Sequence, residues 1–309
     1  MKAIRYISPT LAVVIVIAIV LVALPYYFNR EARWLDDETR LLAPGDFIAL
    51  SQGLTHYEDV GPRSAQTIVL VHGFSVPYYI WTPTFNALVA KGYRVIRYDL
   101  YGRGYSARPE LDYNEALFTQ QIDDLLQALD VPVPIHIAGV SMGGSIATEF
   151  AVTHPGKVDK VILVDPSHNT VDPSVLAWPL IGEYIMNVLI APSMASSQIA
   201  DFHRPERHPD WGEKFEVQMQ YKGFKRAILS TIRHYGTEDK LIVYTQLGKL
   251  NKPVMLIWGK EDQAVPYSGN ERLRAVIETE FVGVDDAGHL PHYEKANLVN
   301  ARIMSFLDR

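Results

Sequence analysis

Residues 136–150 read "HIAGVSMGGSIATEF" and set a serine among glycines, in the pattern Gly139-Val140-Ser141-Met142-Gly143. A serine hydroxyl is a weak nucleophile until a base takes its proton and a third group orients that base. The pattern G-x-S-x-G serves nucleophilic catalysis when a buried strand ends just before it and a helix starts just after. The sharp turn then lifts Oγ to the carboxyl edge of a sheet. Both conditions are met here, with an apolar run before Gly139 and small, helix-tolerant residues after Ser141. The helix N-terminus adds free N–H donors and the positive end of its dipole.

An elbow of this kind expects its partners in the order serine, acid, histidine. The chain has ten histidines. His289, in "VDDAGHLPHYEK", follows the last predicted strand on a loop that returns to the top of the sheet, and is the expected base. His292 reads as a helix cap or solvated surface, and His136, inside a strand, as a core residue. His203 and His208, in "HRPERH", lack the helical spacing of a metal pair and read as solvated loop. For the acid, Asp262 in "LIWGKEDQAVP" follows the penultimate strand, with Glu261 shaping the turn. Asp165, at the end of an earlier strand, is its rival. In this chemistry Ser141 attacks, His289 carries the proton, and Asp262 fixes the imidazole tautomer. Acyl transfer also needs donors aimed at the developing oxyanion. The N–H groups of Phe74, in "VHGF", and of Met142 are the expected pair. His72 is expected to lie buried beneath that loop, bonded to backbone. "DLYGRGYS" (99–106) reads as a structural turn with Gly102 and Gly104 at special dihedrals.

The elements that would position these residues follow from periodicity. "FIAL" and "LTHYEDV" flank the turn "SQG" as a hairpin. Buried strands are predicted over 67–73, 93–99, 134–139, 160–165, 254–259 and 280–286, because short apolar runs rich in β-branched residues suit a sheet covered on both faces. Helices are predicted near 79–91, 113–130, 142–154, 238–250, 268–278 and 292–307. Such alternation specifies an α/β fold with a mostly parallel central sheet and helices on both faces. The rhythm breaks over about 166–236, where Trp178, Tyr184, Met186, Met194, Trp211, Phe215, Met219 and Tyr221 stand among prolines and charges. This reads as a helical insertion. Its apolar residues suit either an acyl pocket or packing against the core.

Residues 11–24, "LAVVIVIAIVLVAL", are uniformly apolar, and Pro25, Tyr26, Tyr27 and Phe28 extend them to membrane-spanning length. No clear small-x-small cleavage site follows, so 1–30 is expected to be an uncleaved single-pass anchor. A cleaved signal, leaving a secreted or periplasmic protein, is the second reading. Lys2 and Arg5 on one side face Arg30, Arg33 and Arg40 on the other, so charge does not decide orientation. Residues 31–43 read as a polar juxtamembrane linker that docks as a short helix, and 44–309 as the catalytic domain with its cap.

The whole chain has 309 residues, 48% hydrophobic and 21% charged, with a net charge of −6 that offers no basic face for nucleic acid. It has no cysteine, which excludes disulfides, thiol nucleophiles and thiolate metal sites. No repeat or low-complexity tract is present.

"VHGF", "DLYGRGYS", "GVSMGG", the carboxylate of "WGKED" and "DAGHLPH" occur in the order and context of the α/β-hydrolase superfamily, which 44–309 resembles. The insertion over about 166–236 matches the helical cap of that family, and within the superfamily the chain looks like the membrane-anchored monoacylglycerol lipase and esterase group. The resemblance implies hydrolysis of a small-molecule or lipid ester through an acyl-enzyme, with no metal and no organic cofactor. Hydrolases with aspartate at the elbow are disfavoured by Ser141. Serine relatives that cleave carbon–carbon, amide or thioester bonds share the same triad and stay open, as does a non-catalytic binding protein on this fold.

Overall fold

The computed structural model describes residues 8–309; Lys2 and Arg5 lie outside them. Helix α1 (Pro9–Tyr27) begins where the Ser8 hydroxyl accepts the Leu11 N–H, and none of its residues is buried. It is apolar on every side, with a mean hydropathy of 2.6, and is long enough to cross a bilayer. A short α2 (Asp37–Leu41) follows, capped by the Asp36 carboxylate, which accepts the Thr39 N–H.

Eight strands form one sheet: β1 (Asp46–Leu50), β2 (Gly53–Val60), β3 (Thr67–Val71), β4 (Arg94–Tyr98), β5 (Ile135–Val140), β6 (Val158–Val164), β7 (Val254–Gly259) and β8 (Glu280–Val284). Their order is β1-β2-β4-β3-β5-β6-β7-β8. The predicted hairpin β1–β2 and the β2–β4 pair are antiparallel, and all later pairings are parallel. Side chains alternate across the central strands. Val69 and Val71 join the core formed with α4 (Glu115–Ala128) and α5 (Met142–Thr153), while Ile68 and Leu70 join the opposite core, with α3 (Thr82–Lys91) and the C-terminal helix. Each fully buried Val, Ile or Leu contributes about 1.5–3 kcal/mol.

The cap holds α6 (Ile181–Ile185), α7 (Ala191–Ser197), α8 (Trp211–Met219) and α9 (Phe224–His234), with wider and tighter turns between them. The sheet resumes through α10 (Leu241–Lys249), α11 (Gly269–Arg274), α12 (Pro291–Glu294) and α13 (Ala296–Leu307). The single helix predicted over 292–307 is broken at Lys295, which leaves helical geometry at φ −119°, ψ 42°. The break lets Glu294 turn toward the loop before α12, where its carboxylate gathers three backbone N–H groups.

The segment after α1 is fastened to the cap. The Glu31 carboxylate accepts the N–H groups of Gly223 (3.0 Å) and Lys225 (2.6 Å) at the N-terminus of α9, where an anion is favoured. Asn29 Oδ1 accepts from Lys225 Nζ at 2.8 Å, and Arg33 exchanges backbone bonds with Gln220 and Lys222. A chain beginning at residue 29 keeps all of these contacts, and one beginning at residue 35 keeps none. The longer truncation is expected to lower Tm by about 3–8 °C relative to the shorter, measured by calorimetry, because each charge-assisted bond is worth about 1.5–3 kcal/mol. Equal Tm values would mean that these contacts add nothing to the fold.

Candidate active site

Between the end of β5 and the start of α5 stands one residue, Ser141, at φ 54° and ψ −124°. A non-glycine residue held there costs about 1–3 kcal/mol and persists only where its surroundings over-determine it. Here the Ser141 N–H donates to Val164 O (2.9 Å), while Ser141 O accepts the N–H groups of Gly144 (2.9 Å) and Ser167 (3.0 Å). The flanking glycines answer a different need. A Cβ on Gly139 would lie 2.1 Å from Gly143 O, and one on Gly143 would lie 2.3 Å from Val71 O. The serine carries the unusual dihedral, and the glycines permit the close packing that enforces it.

His289 lies buried on the loop between β8 and α12, with Nδ1 2.8 Å from Asp262 Oδ2. Asp262 is itself buried after β7. Its Oδ1 accepts the N–H groups of Ala264 (2.8 Å) and Val265 (2.9 Å), which leaves Oδ2 to the imidazole. Burial works against a charged imidazole, but the hydrogen bond and charge of Asp262, with a contribution from Asp201, hold the His289 pKa above its ordinary value.

Asp165, the rival acid, ends β6 in a left-handed conformation (φ 42°) and is fully buried. Its Oδ1 accepts the Gly259 N–H at 2.9 Å, and its Oδ2 has no partner. Burial, and then the adjacent Asp262, push its pKa well above the carboxylate range. Two buried charges side by side would repel, which is why the neighbouring Asp262 adds to the effect of burial. Ligand atoms of Asp165, Asp262 and His289 lie within 4.8 Å of one another, a spacing a cation could bridge. The His289 Nδ1–Asp262 Oδ2 hydrogen bond within this cluster is the contact that an acid–histidine pair makes.

Ser141 and His289 line one cavity of about 210 Å³, without a hydrogen bond between them in this structure. Such bonds are often long before substrate binds. Phe74 lines it too, and Met142 opens α5; among the described residues, neither backbone N–H has a protein acceptor. His72 is buried, receives the Leu100 N–H on Nε2 (2.9 Å) and faces Gly73 O through Nδ1 (2.8 Å). Burial pushes its pKa down to about 4, so the neutral ring braces the Phe74 loop as expected. Gly102 and Gly104 take positive φ, as expected of the 99–106 turn.

Other expectations change. His292, expected as a cap or solvated surface, is fully buried against Trp81, with Nε2 3.2 Å from Ile80 O. Burial pushes its pKa down to about 3. The tight turn after His289 carries it beneath the chain instead of out to water. In the cap, Met186, Met194, Trp211, Phe215, Met219 and Tyr221 are buried in packing, and Trp178 is exposed. None of them lines the Ser141 cavity, whose cap-derived residues are the polar Gln198 and Asp201. Sequence reading also passed over Arg103. Fully buried, it donates to Phe74 O (2.8 Å), Tyr101 O (3.2 Å) and the cap hydroxyl of Thr231 (2.8 Å), so it ties the Phe74 loop to the cap. Burial without a carboxylate partner lowers its pKa to about 9.

Residues 68–302 match the model of the alpha/beta hydrolase family. A 2-hydroxy-6-oxononadienedioate/2-hydroxy-6-oxononatrienedioate hydrolase of Paraburkholderia xenovorans (strain LB400) is 28% identical over 286 residues, covering 84% of this chain and 94% of that protein. Lipase 1 of Psychrobacter immobilis is 26% identical over 275 residues, covering 86% and 82%. The crystal structure of a bacterial membrane phospholipase A superposes with a TM-score of 0.69 over 97% of both chains, at 21% identity, which speaks to the fold alone.

The geometry separates the two carboxyls by experiment. Asp262→Asn is expected to cut kcat by roughly 10³–10⁴ through a misoriented imidazole, while Asp165→Asn costs less than about tenfold. Loss of the Asp262 charge also lowers the His289 pKa, so the acid limb of kcat/KM moves to lower pH in Asp262→Asn and stays in place in Asp165→Asn. The reverse pattern would make Asp165 the orienting acid.

Proposed function

The chain belongs to the alpha/beta hydrolase family, and from that premise we propose that it is a serine hydrolase of carboxylic esters. The observation that carries this reading is Ser141 in its strained turn, sharing a cavity with the paired His289 and Asp262. Ser141 Oγ attacks the ester carbonyl while His289 Nε2 takes its proton. Asp262 holds Nδ1–H and stabilises the imidazolium. The N–H groups of Phe74 and Met142 receive the oxyanion. Collapse of the tetrahedral intermediate releases the alcohol, which takes the proton from His289. Water activated by the same imidazole then frees the acid and restores Ser141.

The cavity favours neutral esters. Val76, Ile80, Val140 and Leu290 supply an apolar lining, and no lysine or arginine lines it. The dienedioate named for one relative carries two carboxylates, which such a lining would leave unpaired. With α1 as a single-pass anchor through 1–30 and 31–43 as the linker, the domain over 44–309, with its cap at about 166–236, works next to lipid. Monoacylglycerols and similar lipid esters are the proposed substrates. The cavity, of about 210 Å³, opens to solvent and receives the ester group at Ser141.

Purified full-length protein in detergent is to be assayed on p-nitrophenyl esters from acetate to palmitate and on 1-monoacylglycerols, beside Ser141→Ala. Turnover on esters that falls at least roughly 10³-fold in Ser141→Ala is the expected result. Labelling of Ser141 by a fluorophosphonate without turnover of any ester would reject the ester reading in favour of another bond type.

A further inference from the structure

Asp201 is the one acidic side chain on the cavity that holds Ser141 and His289, and the mechanism gives it no part. It ends a turn of the cap (Gln198–Asp201) and is partly buried. No N–H or O–H among the described residues donates to its carboxylate. Burial pushes its pKa up, against the attraction of His289. The half-buried carboxylate keeps its oxygens open to the cavity, so a hydroxyl or a charge on an entering substrate meets them directly.

Its place is set by the backbone. The His289 N–H donates to Asp201 O at 2.8 Å. A Cβ on Gly288 would lie 2.6 Å from Asp201 O and 2.7 Å from His203 N, so the two chains touch where only glycine fits. Glu294 closes the junction: its carboxylate accepts the N–H groups of Gly288 (2.7 Å), His203 (3.2 Å) and Arg204 (3.0 Å). The cap turn and the histidine loop are thus one bonded unit. Asp201 is held at a fixed station beside the group that protonates the leaving alcohol.

We propose that Asp201 selects the substrate by charge and hydrogen bonding: it accepts a hydroxyl of the ester's alcohol portion and rejects substrates that bring a carboxylate into the cavity. The proposal deepens the ester-hydrolase reading and rests on it. It gives the cap a polar recognition role and makes hydroxylated alcohols, such as glycerol, the preferred leaving groups. Two negative charges at close range in a partly dry site repel strongly, and no lysine or arginine lines the cavity to offset them.

The test uses full-length protein in detergent at pH 8 and two fluorophosphonates of equal length, one ending in a hydroxyl and one in a carboxylate. The wild type should label Ser141 with the hydroxyl probe at least roughly tenfold faster, and Asp201→Asn and Asp201→Ala should bring the two rates within about threefold. For esters, the kcat/KM ratio of 1-monobutyrin to butyl butyrate should fall in Asp201→Ala mainly through KM. A merely structural role would lower both rates and leave the ratios alone. Unchanged ratios in both variants overturn the proposal. The probe ratio is read from Ser141 labelling, so it decides the role of Asp201 even if no ester turns over, which would reject only the ester reading.

Discussion

A serine forced into a backbone conformation that side chains avoid is the constraint around which this molecule is organised. Ser141 can stand at φ 54° because β5 is locked between β3 and β6, and because α5 packs so closely on β3 that Gly143 has no space for a Cβ. The parallel order of the central strands puts the ends of β5, β6 and β7 at one edge of the sheet. That edge therefore collects Ser141, Asp165 and Asp262, and β8 brings His289 to the same place. The large buried core is what keeps the strained turn from relaxing.

Around His289 three carboxyls occupy three environments. Asp262 has one oxygen saturated by backbone N–H groups and the other directed at the imidazole. Asp165 sits behind it in a dry position, with its pKa raised well above the carboxylate range. Asp201 enters from the cap and meets no donor. The same functional group thus meets three different sets of partners around one imidazole, according to burial and backbone. Glu294 and Arg103 join these parts to the cap. Glu294 fuses the cap turn to the histidine loop, and Arg103 spans from the Phe74 loop to Thr231. Motion of the cap would therefore be felt at both the His289 loop and the Phe74 loop.

The N-terminal segment is fastened to this same cap. Glu31 caps α9 and Arg33 pairs with Tyr221, so the segment that follows α1 is bonded to the insertion before the chain enters β1. The segment that leaves the apolar helix is thereby bonded to the N-terminal end of α9.

The sequence by itself determined everything that depends on short-range pattern. Buried strands read as β-branched runs, the β1–β2 hairpin read from its turn, and the strand–serine–helix context of Ser141 is contained in fifteen residues. The positions of His289 and Asp262 followed from chain order, since each lies just past a strand end. The tertiary structure alone decided what depends on distant residues. It set Asp262 and not Asp165 against the imidazole, because hydrogen bonding within a crowded cluster is a matter of ångströms. His292 was buried because the loop before it turns inward. The aromatic and methionine residues of the cap went to packing, and Asp201 went to the cavity, because a helical insertion can dock on a sheet edge in many ways with the same local periodicity. Arg103 and Glu294 gave no local signal, since the groups they bind lie as far as 128 residues away in the chain. Local propensity fixes which elements form; only their mutual packing fixes which polar atoms meet.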